Sequence, residues 1–132
     1  MPAEPWFLEL NHVNELHDDS LKAYGGSVGC RDVGMVESAL GAAKSAYYYG
    51  GGDFFDVAAA YAFHIAQAQA FLDGNKRTAI ATALTFLTAN GFSRPPTAGF
   101  IQQLYDAMIA IAERRMDKPG LAKVMREFLS NP

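Results

Sequence analysis

Alanine accounts for 22 of the 132 residues, and the position of these alanines constrains the fold more than any other feature of the sequence. They are concentrated at 58–70, 79–89 and 107–112, and alanine has the highest intrinsic preference for the α-helix. Its small side chain also allows helices to approach one another closely. Stretches in which β-branched and polar residues alternate, as they do in half-buried strands, are nearly absent. The sequence therefore predicts an all-α fold.

The length and composition indicate one domain with a hydrophobic core. Of the 132 residues, 50% are hydrophobic and 19% are charged, which is enough apolar material to fold. The net charge of −3 argues against a broad surface for binding nucleic acid. The single cysteine, Cys30, excludes an intramolecular disulfide and a multi-cysteine zinc site. Because the sequence has no signal peptide and no membrane-spanning apolar run, we expect residues 1–132 to form one soluble, cytoplasmic domain without a membrane partner.

Capping residues and glycines divide the chain into a short extended N-terminal segment and about six helices. The N-terminal segment is the apolar run 6–10. The predicted helices cover 12–24, 33–47, 53–69, 75–89, 98–116 and 119–129. Suitable N-caps for the first, second and fifth of them are Asn11, Asp32 and Thr97. The third helix is apolar on most sides, which is typical of the central, buried helix of an α-helical bundle.

Residues 69–77, with the sequence QAFLDGNKR, are the most informative about function. A turn containing Asp73 and Gly74 leads directly into a helix, and the unpaired amides at a helix N-terminus bind anions. Lys76 and Arg77 in the first helical turn oppose the helix dipole, which indicates an external anion that offsets the repulsion. A divalent cation bound to phosphates would find a carboxylate in Asp73. The residues alone leave two interpretations open: a phosphate and metal cradle, or an ordinary capped helix.

The same segment resembles the motif H-x-F-x-[D/E]-G-N-[G/K]-R of the Fic/Doc family. The matching residues are Phe71, Asp73, Gly74, Asn75, Lys76 and Arg77. Lys76 stands where Fic adenylyltransferases have glycine, which makes the chain more similar to the death-on-curing (Doc) branch. The resemblance covers about residues 11–91 and includes Leu16-His17-Asp18 and Tyr24-Gly25-Gly26. It implies a single-domain Fic/Doc bundle of about six helices.

The resemblance also implies an activity and a set of roles. A member of this branch is a toxin of a toxin–antitoxin module that transfers phosphate from ATP to a threonine hydroxyl of elongation factor Tu. A Phd-type antitoxin blocks it, and we expect the antitoxin segment to fold as a helix in a groove lined by apolar residues of the N-terminal segment and first helix, namely Phe7, Leu10, Val13 and Leu16. By resemblance, Asp73 would bind Mg²⁺, and Asn75 with the amides around Gly74 would hold phosphate oxygens. Lys76 and Arg77 would neutralise the nucleotide, and Phe71 would anchor the loop.

One position departs from the family pattern at the chemistry itself. The catalytic histidine of the motif falls on Gln69, and a glutamine has no group that takes up a proton near neutral pH. Loss of a general base typically lowers a rate by a factor of about 10²–10⁴. His64 lies five positions earlier and therefore about 140° away around the helix, so it cannot replace residue 69. We therefore expect this chain to be inactive or strongly impaired. A second departure is Ile80, where Fic enzymes carry a further arginine.

Two rival functions fit the same residues. The first is a catalytically silent Fic-fold protein that still binds nucleotide or antitoxin, which Gln69 favours. The second is a Fic-type nucleotidyltransferase, which would transfer a nucleotidyl group from ATP instead of phosphate.

Several further residues have plainer interpretations. His64 is interpreted as a packed or half-buried helix residue, and His12 and His17 as surface or capping residues. Tyr24 is predicted to face inward on the first helix, and Arg31 to form a loop ion pair beside the cap Asp32.

Overall fold

The fold consists of six α-helices joined by loops. The computed structural model describes residues 4–130, and this range contains no strand, only one isolated antiparallel bridge between Cys30 and Phe71. The helices are α1 (Leu10–Tyr24), α2 (Val33–Tyr48), α3 (Phe54–Ala68), α4 (Asn75–Ala89), α5 (Ala98–Ala112) and α6 (Lys118–Leu129). The predicted all-α fold is confirmed. None of the helices between residues 4 and 130 combines the length and apolar character needed to cross a membrane.

Helix α3 is the centre of the bundle. It packs against α2, α4, α5 and α6, while α1 lies on α4 and α2. The run 57–62 of α3 is buried on all sides, including the complete side chain of Tyr61. Four of these six residues are alanines, and the absence of bulk at these positions lets the neighbouring helices approach the α3 backbone. The predicted central helix is therefore confirmed.

Local capping signals set most of the helix starts. Asp32 accepts a hydrogen bond from the N–H of Met35 at 3.2 Å, and Thr97 Oγ1 accepts one from Phe100 at 3.1 Å. Asp53 caps α3 by accepting from the N–H of Asp56 at 2.9 Å. These side chains satisfy amides that have no partner inside their own helix.

Two helix ends differ from the prediction. Helix α1 begins at Leu10 with Glu9 as N-cap, whereas the sequence predicted Asn11 as the cap. The backbone N–H of Glu9 donates to His12 Nδ1 at 2.8 Å, so the histidine side chain supports an earlier start and has the capping role expected of it. Helix α5 ends at Ala112 and not at 116, because Arg114 adopts a left-handed backbone with φ of 61°.

The N-terminal segment has no helix or strand at residues 4–9, leads through the extended backbone of Glu9 into α1, and is held by side chains of the bundle. Leu8 is completely buried, and its N–H donates to the hydroxyl oxygen of Tyr61 at 3.0 Å. The Asn90 side chain accepts from Trp6 N–H at 2.8 Å and donates to Trp6 C=O at 2.9 Å. An amide side chain thus replaces the neighbouring strand that an extended segment would otherwise require.

Candidate functional site

The segment that connects α3 to α4 contains two left-handed residues. Helix α3 ends at Ala68, and Gln69 follows with φ of 46° and ψ of 41°. The segment ends at Gly74, which has φ of 77° and is the N-cap of α4. Glycine adopts a positive φ without strain, whereas for glutamine this backbone is unfavourable and must be held by its surroundings. Residues 69–74, called the motif loop below, therefore have a defined shape.

The loop between α1 and α2 holds the motif loop from one side. The backbone N–H of Arg31 donates to Ala70 C=O at 2.6 Å, and that of Leu72 donates to Gly29 C=O at 3.1 Å. The Arg31 guanidinium donates to Gln69 C=O at 3.1 Å. Asp32 is the predicted cap, but the predicted loop ion pair of Arg31 is wrong, since its guanidinium binds main-chain carbonyls. The sequence did not reveal this contact because it joins residues 38 positions apart.

Asn75 closes the motif loop from the other side. Its Oδ1 accepts from the N–H of Phe71 at 3.1 Å, and its Nδ2 donates to Phe71 C=O at 3.0 Å. The Phe71 side chain is 2% exposed and lies in the core. Oδ1 and one hydrogen of Nδ2 bind this backbone, so the groups of residue 75 that are left for a phosphate oxygen are the second hydrogen of Nδ2 and the backbone N–H.

The carboxylate of Asp73 is held at the surface of the motif loop. Its Oδ1 accepts from Gly74 N–H at 3.0 Å, and its Oδ2 accepts from Ser27 N–H at 3.3 Å. The α1–α2 loop approaches so closely that a Cβ on Gly26 would lie 3.0 Å from Asp73 Oδ2. Each oxygen keeps a lone pair for a further ligand.

The Asp73 carboxylate could hold a divalent cation only together with the phosphate groups of a bound substrate. Between residues 4 and 130 no three His, Cys, Asp or Glu side chains come together in a way that would hold a metal ion. Mg²⁺, however, is commonly held by one or two carboxylates together with substrate phosphates. Asp73 is suited to that arrangement.

The N-terminus of α4 faces a cavity of about 470 Å³. Residues of the motif that line it are Gln69, Asp73, Gly74, Asn75, Lys76 and Arg77. Arg31 lines it from the α1–α2 loop, and Tyr105, Met108 and Ile111 line it from α5. The structure thus brings the predicted site residues together around one cavity, with Phe71 buried beneath them.

The charge of this cavity suits a polyphosphate. Three cationic side chains, Arg31, Lys76 and Arg77, line it together with one carboxylate, Asp73. The backbone N–H groups of 75–77 have no acceptor among residues 4–130 and add the positive end of the α4 dipole. An anion in this cavity would meet fixed donors as well as cations.

His64 lies away from the cavity, as the helical spacing predicted. It is half-buried, and its Nε2 is 3.1 Å from Lys118 Nζ, so the neutral ring accepts a hydrogen bond from the ammonium of α6. Burial, and secondarily the charge of Lys118, lower the pKa of His64. Gln69, by contrast, is one of the residues that line the cavity.

Two residues of α1 lie where the sequence did not place them. Tyr24 is 68% exposed, so its predicted inward orientation is wrong, and the Arg77 guanidinium lies 4.5 Å from the centre of its ring. His17 was expected at the surface or at a cap, yet it is buried and lies against the motif loop. The spacing from Val13 to His17, one helical turn, was the signal that places both on the buried face.

The four residues predicted to line an antitoxin groove on the N-terminal segment and α1 differ in burial. Val13 is completely buried, and Phe7, Leu10 and Leu16 pack partly against the core. A largely apolar groove of about 400 Å³ does lie elsewhere, between α4, the start of α5 and the end of α6.

Comparison with known proteins shows the family of this chain. The sequence pattern of the Fic/DOC family matches residues 7–87. The chain belongs to the Fic/DOC family. This match includes the motif loop and the start of α4 but not α5, whose side chains close the cavity.

Two relatives assign the chain to the Doc-like members of the Fic/DOC family. One is "Protein kinase doc" of Escherichia phage P1, which is 40% identical over 117 residues, 86% of this chain and 87% of the relative. Another is "Toxin Doc" of Mycolicibacterium smegmatis, which is 35% identical over 111 residues, 80% of this chain and 82% of the relative. The alignments thus extend over most of both chains.

Proposed function

We propose that this chain is a Doc-type toxin that binds Mg·ATP in the 470 Å³ cavity and is strongly impaired in transferring its phosphate. The observation that supports nucleotide binding is the convergence of Arg31, Lys76, Arg77 and the free amides of α4 on that cavity. The observation that supports impairment is Gln69 at the position of the motif histidine. Asp73 would hold Mg²⁺, which when bound neutralises phosphate charge.

The proposed reaction is the transfer of the γ-phosphoryl group to a protein hydroxyl. The hydroxyl oxygen forms a bond to the γ-phosphorus, the bond from this phosphorus to the bridging oxygen breaks, and ADP leaves. The hydroxyl proton must pass to a base. Lys76, Arg77 and the α4 amides would stabilise the charge on the phosphate oxygens. Gln69 can accept a hydrogen bond from the hydroxyl and orient it, but it cannot take up the proton.

The proposed target is a threonine of a translation factor similar to elongation factor Tu, and the proposed place of action is the cytoplasm, where that factor works. The names of the two relatives, one a protein kinase and one a toxin, support a protein substrate and a toxic effect. A toxin of this type is paired with an antitoxin, and we propose a Phd-type antitoxin whose disordered segment folds on binding.

The decisive experiment restores the histidine. Purified Gln69→His protein is incubated with elongation factor Tu and Mg·ATP labelled on either the γ- or the α-phosphate. Label transferred from the γ-phosphate only supports phosphotransfer, and we expect a rate at least about 10²-fold above that of the unchanged chain. The matched control is Gln69→Asn, which removes the same side chain without adding a base and is expected to stay inactive.

The other outcomes decide between the rivals. Transfer of the α-label would show a nucleotidyltransferase. No transfer of either label by the Gln69→His protein would refute the phosphotransferase proposal.

The silent binding protein is the second candidate, because Gln69 removes the base but leaves the cations and amides in place. It predicts that the unchanged chain binds Mg·ATP in a calorimetric titration although it transfers nothing. It also predicts that an antitoxin peptide raises the melting temperature, and raises it further at higher peptide concentration. A chain that fails both tests is neither an enzyme nor a binding protein of this module.

A further inference from the structure

His17 is a buried histidine that the proposed chemistry does not use. It lies on α1, 56 positions before Asp73, and its Nε2 is 2.7 Å from the carbonyl oxygen of Asp73. Its ring stacks on that of Phe71, with centroids 3.9 Å apart and planes inclined by 14°. A Cβ on Gly74 would be 3.6 Å from the imidazole, so the ring also lies against this glycine. One side chain therefore touches three of the four residues 71–74.

The hydrogen bond fixes the proton on the imidazole. A carbonyl oxygen only accepts, so Nε2 carries the hydrogen and donates it. Within residues 4–130, no other group donates to this carbonyl. His17 is 3% exposed, so its imidazole approaches this carbonyl from the buried side of the motif loop.

The orientation of the Asp73–Gly74 peptide follows from this contact. In a trans peptide the C=O and the N–H point in opposite directions. Because His17 draws the carbonyl of Asp73 inward toward α1, the N–H of Gly74 points outward, where it donates to Asp73 Oδ1 at 3.0 Å. If this peptide turned over, its carbonyl dipole would face the cavity, and the carboxylate of Asp73 would lose a donor.

We propose that His17 is a positioning residue for the anion site. It holds the Asp73–Gly74 peptide with its carbonyl away from the cavity, so that the carboxylate of Asp73 and the amides of α4 are presented to a phosphate group. The effect of His17 on nucleotide affinity rests on the proposed function above. The effect of His17 on the orientation of the Gly74 amide is independent of that function.

Two substitutions separate the hydrogen bond from the packing. In His17→Gln, the amide nitrogen lies as many bonds from Cα as Nε2 does, so the variant can still donate to Asp73. In His17→Asn, the amide is one bond shorter and does not reach. Both replace the ring by a primary amide, so the loss of stacking on Phe71 is common to them. If His17→Asn fails to fold, His17→Phe takes its place, because it keeps a ring against Phe71 and has no donor.

Hydrogen exchange of the Gly74 amide, measured by NMR in folded protein, tests the peptide orientation without any ligand. We expect exchange to accelerate about tenfold when the donor is lost, the factor that corresponds to about 1.4 kcal/mol, and to stay near the native rate in His17→Gln. Titration with Mg·ATP by calorimetry tests the consequence. The dissociation constant is expected to rise about tenfold in the variant without the donor and to recover in His17→Gln.

The outcomes separate this proposal from the function on which it draws. Equal exchange rates of the Gly74 amide in His17→Gln and His17→Asn would overturn the proposal. Equal dissociation constants for Mg·ATP in these two variants would overturn it as well. If the native chain itself binds no Mg·ATP, the proposed function fails, while the exchange measurement still decides whether His17 positions the peptide.

Discussion

Substitution of Asn75 distinguishes a loop clamp from a phosphate ligand. The side chain lines the cavity, as expected for a ligand, but both of its amide atoms bind the backbone of Phe71. In Asn75→Ala both hydrogen bonds are lost; the N–H of the buried residue Phe71 loses its partner, and its C=O keeps only the longer contact from the Arg31 guanidinium at 3.5 Å. The unliganded protein should therefore be destabilised. A residue that served only the ligand would leave its stability unchanged.

The expected size follows from the two contacts. A net hydrogen bond contributes about 0.5–1.5 kcal/mol, and a buried group left without a partner costs about 1–3 kcal/mol. Because water reaches part of this region, we expect a loss near the lower end for each group, about 2–3 kcal/mol in total. With an unfolding entropy of about 2.1 cal/mol/K per residue, a chain of this length should melt about 7–11 °C lower.

The assay is thermal unfolding followed by circular dichroism without nucleotide. The matched control is Asn11→Ala, which removes the same side chain from an exposed position in the first turn of α1 and should change the melting temperature little. If the melting temperature of Asn75→Ala shifts no more than that of the control, Asn75 does not clamp the motif loop, and its side chain is better explained as a phosphate ligand.

Three further predictions concern the cavity and the α3–α6 contact. Asp73→Ala should abolish the metal-dependent part of nucleotide binding while the fold stays intact; an affinity for Mg·ATP in Asp73→Ala that equals that of the unchanged chain, with the same dependence on Mg²⁺, would contradict the metal assignment. Tyr24→Ala should weaken Mg·ATP binding severalfold, because Arg77 loses the ring on which it lies, whereas Tyr49→Ala should not. The pKa of His64 is lowered in the folded state, so the folded protein takes up this proton less readily than the unfolded chain does. The contribution of His64 to the free energy of unfolding is therefore present above pH 6.5, the ordinary pKa of histidine, and is lost as the pH falls below it. In His64→Gln, the free energy of unfolding from denaturant titrations should therefore fall less steeply below pH 6.5. The same slope in both proteins would contradict the assignment of this pH dependence to His64.

The sequence determined the helices and the place of the site because both depend on local signals. The alanine-rich runs and the caps Asp32 and Thr97 act within one turn of their own helix, and each is found as predicted. The motif loop was recognisable for the same reason, since its glycine, carboxylate and cations are consecutive residues. Two helix ends were misplaced: Glu9 and not the predicted Asn11 caps α1, and Arg114 terminates α5 through a backbone conformation that its residue type does not indicate.

The tertiary structure alone decided which partner each side chain of the site has. Arg31 reaches the carbonyl of Gln69 over 38 positions, and His17 reaches that of Asp73 over 56. The exposure of Tyr24 beneath Arg77 likewise depends on where α1 ends relative to α4. Such contacts form only after the helices have packed, and helical periodicity gives the face of a residue but not the backbone atom that it meets. The sequence therefore specified the chemical groups of the cavity, and the packing of α1 and α2 against the motif loop specified their orientation.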